Sequence, residues 1–380
     1  MDFEFTNEEL QVRNKVAELF DEAALAEIET METADPAGLK ELTLRYLAKL
    51  AEAGYLGLGL GPDGLKDEMA LAAAQEVFSE AAGSLFLAVE TSTRLAGGLM
   101  AGWASDQQKS EYLEPLLKGE RIAAISVAEP GGNEPQEGWI TKARLDGGQY
   151  ILNGIKGPTT NASIADFLIV ASDVDGKLAF FLLHPGDDGL TIGERVSTLG
   201  YNGLAVADIR LDNVKVPESR VIGPLENTDA LKFLLTAQDM VLALAGLGLM
   251  KRTHQAASDY AHQHHRGNKP IFAHQEVRFK LADTFTLYQT SQLLCYRAAW
   301  FLASGDREAD VLVNCAKVFC AEAVEKISSL AMNVWAGQGY LAGNPVERGY
   351  RESKYIGLAG TTTEVSRMAI ADDVLKRHPV

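Results

Sequence analysis

The 380-residue chain predicts an α+β fold in three domains: N-terminal helices, a middle antiparallel β domain and a C-terminal four-helix bundle. Three observations predict it. Residues 1–119 place apolar side chains at helical spacing. Residues 120–224 break into short extended runs punctuated by Asp-Gly. From residue 225 to 380 the helical spacing returns in long alanine- and leucine-rich runs.

The first domain opens with "TNEELQVRNKVAELFDEAAL", in which Thr6 is a candidate N-cap and Glu9, three residues on, completes a capping-box pattern. Leu10, Val12, Val16, Leu19 and Phe20 follow close to helical spacing. "GYLGLGLGPDGL" interrupts as a glycine-rich loop. Alanine-rich helical text then runs to "AGWA", and "SDQQKSEYLEPLLKGE" reads as a short helix ending at Gly119.

In the middle domain, Asp146-Gly147-Gly148 separates two strand-like runs, a hairpin signal that Asp175-Gly176 repeats. "VADIRLDNVKVPESRVIG" is a further extended run, and a barrel or sandwich is the expected packing. The last domain reads as four helices. The first is very long and ends near Arg266-Gly267-Asn268; the fourth begins after Thr361 or Thr362. Apolar positions are too dense for a coiled-coil heptad.

A formal charge of −17 disfavours nucleic acid and anionic membranes as partners. The N-terminus lacks the pattern of a secretory signal, and no apolar run reads as long enough to span a bilayer. Cys295, Cys315 and Cys320 sit in apolar helical text with no paired framework and read as small buried hydrophobes in a reducing, cytoplasmic compartment. His254, His262, His264 and His265 lack cysteine or carboxylate neighbours at ligand spacing, so no metal site is expected.

Four stretches, in order over essentially the whole chain, carry a resemblance: "AEPGG", "GQYILNGIKGPTTNASIADFLIVA", "LGYNGLAVADIRLDNVKVP" and "WAGQGYLAGNPVERGYRESKYIGLAGTTTEVSR". Together they resemble the acyl-CoA dehydrogenase family. The resemblance implies that family's fold, an FAD cofactor, an acyl-CoA substrate, an electron-transfer flavoprotein or similar acceptor, and assembly as a homo- or heterotetramer through the C-terminal bundle. In that chemistry a carboxylate removes the proton α to a thioester while the β-hydrogen leaves as hydride to the flavin.

Transferred residue by residue, the resemblance places Ala128 at the family's flavin-bonding threonine, followed by Gly131 and by Glu134 at a serine position. Pro158 stands where a tryptophan stacks on the ring, and Thr160 matches the threonine that faces flavin N5. His264 replaces a pyrophosphate-binding arginine, with Arg266 nearby as a substitute. Gln275, Asn333, Gly337, Thr362 and Glu364 occupy the remaining cofactor-binding positions. Losing the aromatic face at Pro158 leaves space for a bulky or cyclic acyl group, or else weakens flavin binding.

Both usual positions for the proton acceptor lack a carboxylate: one is Gly360, the other Gln238 on the long helix. Three acids remain as candidates, namely Asp239 beside Gln238, Glu90 in "LAVETSTRL" and Glu134. Two readings of function are therefore open. One is a flavin-dependent acyl-CoA dehydrogenase with an atypical site, acting on a cyclic or branched acyl-CoA. The other is a non-catalytic, FAD-poor subunit of a heteromeric acyl-CoA dehydrogenase. A CoA-binding module without flavin is the third.

Overall fold

A computed structural model describes residues 5–60, 68–130 and 139–377. Thr6 caps α1 (Asn7–Glu18) with the capping box read from the sequence: Thr6 Oγ1 accepts the Glu9 amide, and the Glu9 carboxylate accepts the Thr6 amide at 2.7 Å. Asp21 caps α2 (Glu22–Glu29), and Asp35, followed by Pro36 in the first turn, caps α3 (Pro36–Glu52). α4 (Glu68–Ala81) and α5 (Gly83–Glu90) are almost wholly buried. A π-helical stretch, Thr91–Gly97, joins α5 to α6 (Gly98–Trp103). Beyond them, α7 (Asp106–Gln108) and α8 (Glu114–Leu117) lead to Gly119, where φ is +74° and a Cβ would stand 2.6 Å from the Leu47 backbone. Only glycine fits that stop.

The middle domain has strands β1 (Ala123–Ser126), β2 (Lys142–Asp146), β3 (Gln149–Thr159), β4 (Phe167–Val174), β5 (Lys177–Leu183), β6 (Leu190–Ile192), β7 (Ala207–Pro217) and β8 (Val221–Leu225). They run β6-β7-β3-β2-β4-β5-β8 across the sheet, with β1 parallel to β4. Both Asp-Gly signals are hairpin turns: Asp146 pairs with Gln149, and Val174 with Lys177. β7 alternates, with Ala207, Ile209 and Leu211 inward and Asp208 and Arg210 outward. β4 and β5 are buried on both faces. Leu168, Val170 and Phe181 meet Leu152 and Ile209 inside the β domain; Phe167, Ile169 and Phe180 meet Leu99, Leu116 and Leu234 of the helices.

The last domain holds five long helices: α9 (Asp229–Gln263), α10 (Gln275–Ser304), α11 (Ala309–Trp335), α12 (Pro345–Leu358) and α13 (Thr363–Arg377). α9 stops earlier than its apolar text suggests, because His265–Arg266 pairs with Lys269–Pro270 around a turn at Gly267, whose φ is +63°. α12 is the helix the periodicity did not reveal; Asn344 caps it by accepting the Val346 and Glu347 amides. One expectation needs correction. An 18-residue stretch of α9 is apolar and long enough to cross a bilayer, but 72% of it is buried within the protein, so packing accounts for its composition.

α9, α11 and α12 pack together with α4 and α5 in the largest apolar cluster, through Leu244, Leu247, Val324, Ile356 and Phe78. Cys295 and Cys320 lie buried in it as free thiols with their Sγ atoms 3.5 Å apart. This packing brings the middle of α9, the middle of α11 and the α12–α13 turn to one place.

Candidate active site

At that place stands Gly360. Its φ of +65° is a left-handed conformation that suits glycine, and a Cβ there would lie 2.8 Å from Asp239 Oδ1, 2.8 Å from Leu242 Cδ1 and 3.4 Å from Gln238 Cδ. The space beside residue 360 is therefore filled, and a carboxylate fills part of it. Asp239 Oδ1 accepts the Thr361 amide at 3.0 Å and lies 3.5 Å from Lys317 Nζ on α11. Lys317 Nζ in turn donates to the Ala359 carbonyl at 2.6 Å. The turn is thus held on either side of Gly360.

Asp239 is 3% exposed and Lys317 fully buried. Burial pushes the Asp239 carboxyl above the usual carboxylate range, with Lys317 and the Thr361 hydrogen bonds acting against it. Burial also lowers the Lys317 ammonium, and the attraction of Asp239 opposes this. A buried carboxyl raised in this way is a candidate general base. Lys317 was not singled out from the sequence; the one available signal was a lone lysine inside the apolar run "VNCAKVFC".

Glu90 is differently placed. It is fully buried at the end of α5, where Tyr55 donates to Oε1 at 2.6 Å, Gln75 donates to Oε2, and Arg94 Nε lies 3.7 Å from Oε2. Arg94 also donates to the carbonyls of Tyr55, Leu56 and Leu58. Burial raises the Glu90 carboxyl, and Arg94, Tyr55 and Gln75 counteract that. Both oxygens are committed to a network that joins α5 to α4 and to the loop after α3. Glu134 and Gly131 lie outside the described residues.

The segment up to residue 130 is well anchored. Glu129 Oε1 accepts Lys156 Nζ at 2.8 Å and the Thr141 amide at 2.9 Å, and Oε2 accepts the Ile140 amide at 2.5 Å. Lys156 Nζ also donates to the Val127 carbonyl at 3.0 Å and sits 4.2 Å over the Trp139 ring. Burial would raise the Glu129 carboxyl, but Lys156 and the two amides hold it below the usual range. Burial pushes Lys156 down to about 8 against the pull of Glu129. Across from this pair, the Ala128 carbonyl accepts the Gly157 amide at 3.2 Å, and Ser126 and Thr159 share a 2.6 Å hydroxyl hydrogen bond. Two backbone edges, 126–130 and 157–160, therefore form one rigid wall. Pro158 is exposed on it and Thr160 half-buried. The Thr160 side chain bonds Tyr355 of α12, whose ring meets Tyr201 edge-on at 5.5 Å. Tyr355 is a second residue that the sequence did not single out.

The remaining cofactor candidates lie on the C-terminal helical domain. His264, Arg266, Gln275, Asn333, Gly337, Thr362 and Glu364 are all exposed. His264 caps α9 and stacks on Tyr260 at 4.8 Å, which stacks on Trp335 at 4.4 Å. Thr362 Oγ1 accepts the Val365 amide at 3.4 Å at the start of α13. Among the described residues no three His, Cys, Asp or Glu side chains converge as a metal-ligand set.

The donor set is compatible with a flavin. The wall offers the half-buried Thr160 hydroxyl beside the exposed face of Pro158, and Asn161 Oδ1, buried next to Thr160, has no hydrogen-bond partner. No aromatic side chain stands at position 158 to stack on a ring, and no arginine stands at position 264.

Comparison with known proteins matches residues 6–120, 124–214 and 230–375 to the N-terminal, middle and C-terminal domains of acyl-CoA dehydrogenase. The chain is 32% identical over 347 residues to a 3-(aryl)acrylate reductase of Clostridium sporogenes, covering 88% of this chain and 91% of that one. It is 27% identical to the caffeyl-CoA reductase-Etf complex subunit CarC of Acetobacterium woodii, covering 98% of this chain and all of that one. Its fold matches a glutaryl-CoA dehydrogenase from Mycobacterium smegmatis in complex with FADH2, with a TM-score of 0.87 at 21% identity over 98% of this chain and 95% of that one.

Proposed function

The chain belongs to the acyl-CoA dehydrogenase family, and on that premise we propose that it is a flavin-dependent acyl-CoA dehydrogenase whose proton acceptor is Asp239. The observation that carries this reading is the position of Asp239 Oδ1, 2.8 Å from where a side chain on residue 360 would begin. A carboxylate thereby reaches the usual site of the base from the neighbouring helix. Its raised affinity for a proton suits removal of a weakly acidic hydrogen α to a thioester.

A bound FAD would supply the acceptor for the β-hydrogen. The 126–130 and 157–160 edges would hold its ring system, with Thr160 offering a hydroxyl and Tyr355 orienting it. The exposed set on the bundle, His264, Arg266, Gln275, Asn333, Gly337, Thr362 and Glu364, is suited to the nucleotide of a neighbouring protomer's cofactor. Asp239 takes the α-proton in dehydrogenation and returns it in the reverse direction.

The acyl group is bulky, cyclic or aryl-substituted in this reading. Pro158 leaves the wall without an aromatic cover, and both relatives described above carry an aryl or caffeyl group in their substrate names. The CarC relative supports an electron-transfer flavoprotein as acceptor. The enzyme works as a cytoplasmic oligomer.

The test is anaerobic flavin bleaching by cyclic, aryl and straight-chain acyl-CoAs. Asp239→Asn keeps the side-chain shape and an acceptor for Thr361, and is expected to slow bleaching by about 10²–10⁴-fold. Unchanged bleaching in that variant removes Asp239 from the role. A purified parent that neither binds flavin nor bleaches removes the enzymatic reading.

A further inference from the structure

Lys317 is bonded to one half of the Gly360 turn and pairs with the aspartate that is bonded to the other half. Its ammonium donates to the Ala359 carbonyl at 2.6 Å on one side of Gly360 and lies 3.5 Å from the Asp239 carboxylate. That carboxylate accepts the Thr361 amide at 3.0 Å on the other side. Three elements, α9, α11 and the α12–α13 turn, therefore meet at one buried ion pair. The lysine side chain is 0% exposed and the aspartate 4%.

A buried lysine needs a partner for its charge, and a backbone carbonyl satisfies only one of its three protons. Holding the Ala359–Thr361 turn does not require an ammonium, since any donor of the right length would bond Ala359. The placement of a full charge within reach of Asp239 points to a further task.

We propose that Lys317 is a positioning residue for proton transfer: it fixes the Asp239 carboxylate against the Gly360 turn and its charge sets the pH at which Asp239 becomes a base. This inference rests on the reading of Asp239 as the proton acceptor. Lys317 is the main charged group acting on Asp239, and Asp239 and Cys320, one turn along α11, are the titratable groups acting on Lys317. From α9 itself Gln238 faces the same turn, and from the turn come the Thr361 amide and hydroxyl. Among the described residues, the other helices packed against α9 add no charged group of comparable effect on the pair.

The sign follows from the charge. A cation close to a carboxylate favours its ionised form, lowering its pKa by roughly 1–3 units at such distances. Removing the cation leaves Asp239 protonated to higher pH, so the acid limb of the flavin-reduction profile moves up.

The experiment compares the pH profile of anaerobic flavin reduction in four proteins, the parent, Lys317→Gln, Lys317→Arg and Asp239→Asn, each with its thermal midpoint. Lys317→Gln keeps a donor for Ala359 and removes the charge. Its acid limb is expected to move up by about 1–3 pH units. Lys317→Arg keeps the charge and is expected to leave the limb near that of the parent. Asp239→Asn is expected to abolish the limb together with most of the rate. A Lys317→Gln profile that superimposes on the parent, with only the thermal midpoint lowered, overturns the positioning role and leaves Lys317 as a turn anchor. An Asp239→Asn variant that bleaches as fast as the parent instead overturns the base assignment, so the two failures are distinguishable. Should Lys317→Gln fail to fold, Lys317→Met removes the charge at nearly the same side-chain length; its acid limb is expected to move up likewise, and an unmoved limb contradicts the proposal.

Discussion

Asp239 Oδ1 and residue 360 compete for one space: the carboxylate lies 2.8 Å from where a Cβ on Gly360 would sit. The two positions are therefore coupled. With this aspartate on α9, a side chain on the turn could enter only by displacing the carboxylate or Leu242.

Gly360→Ala is accordingly expected to destabilise the protein by about 2 kcal/mol or more. A left-handed backbone costs a non-glycine residue roughly 1–2 kcal/mol, and forcing a methyl into packed space adds about 1–3 kcal/mol. Asp239→Ala should relieve part of the second cost, since Leu242 Cδ1 still stands 2.8 Å from the added Cβ, and none of the first. The Asp239→Ala/Gly360→Ala protein should then be more stable than the sum of the two single changes implies, as measured by denaturant unfolding. Strict additivity would show that the two residues do not share the space.

A second expectation concerns the ion pair beneath the 126–130 and 157–160 edges. The Lys156 and Glu129 side chains are 0% and 3% exposed, so removing one partner leaves the other buried and unpaired. Lys156→Met is expected to cost about 3–5 kcal/mol in unfolding free energy. Adding Glu129→Gln should restore part of it, because a neutral amide no longer needs the ammonium. A loss below about 1 kcal/mol in the single variant would place the pair in the range of exposed salt bridges.

Much of this framework was legible because it depends on local chemistry. The Thr6–Glu9 capping box and the turns at Asp146-Gly147-Gly148 and Asp175-Gly176 stand as their residues predict. The neighbourhood of Asp239 and Gly360 was partly legible, since the resemblance placed both near the usual base. That the space between them is filled depends on side-chain packing, which the sequence does not display. α12 escaped notice because Gly349 and Gly357 dilute its helical text, and Gly349 is there for close approach: a Cβ would meet Thr253 Oγ1 at 2.7 Å. Glu90 read as a candidate proton acceptor. Its engagement by Tyr55 and Gln75 arises from chain segments 35 and 15 residues away.

That closed network gives a pH-dependent prediction. The Glu90 carboxyl is raised in the folded protein, chiefly by burial, so the native state holds this proton more tightly than the unfolded chain does. The resulting stabilisation is complete below the unfolded carboxyl pKa and is lost as pH rises through the folded value. Glu90→Gln removes that dependence. The thermal midpoint of Glu90→Gln relative to the parent should therefore rise as pH is taken from about 4 through neutrality. Flavin bleaching should change little, in contrast with Asp239→Asn. A relative midpoint that falls over this range would mean that Arg94 outweighs burial at Glu90.

The last prediction concerns assembly. On α10, Phe279, Leu293 and Trp300 are 59%, 57% and 55% exposed. At about 100° per residue they fall within a stripe of roughly 60° on one side of the helix. On α13, Val365, Met368 and Leu375 are also exposed and share a face. Aligned apolar stripes of this kind expose surface that burial against a partner would stabilise by about 25 cal/mol per Å². The exposed cofactor candidates lie in the same domain, so a second protomer would cover the stripes and could complete the nucleotide site together. The purified chain is expected to sediment as an oligomer at micromolar concentration. Leu293→Glu/Trp300→Glu should shift it to smaller species and lower flavin retention in parallel, while the circular dichroism of the helices persists. A parent that sediments as a monomer, or a dissociated variant that keeps its flavin as tightly as the parent, would separate the apolar stripes from the cofactor site.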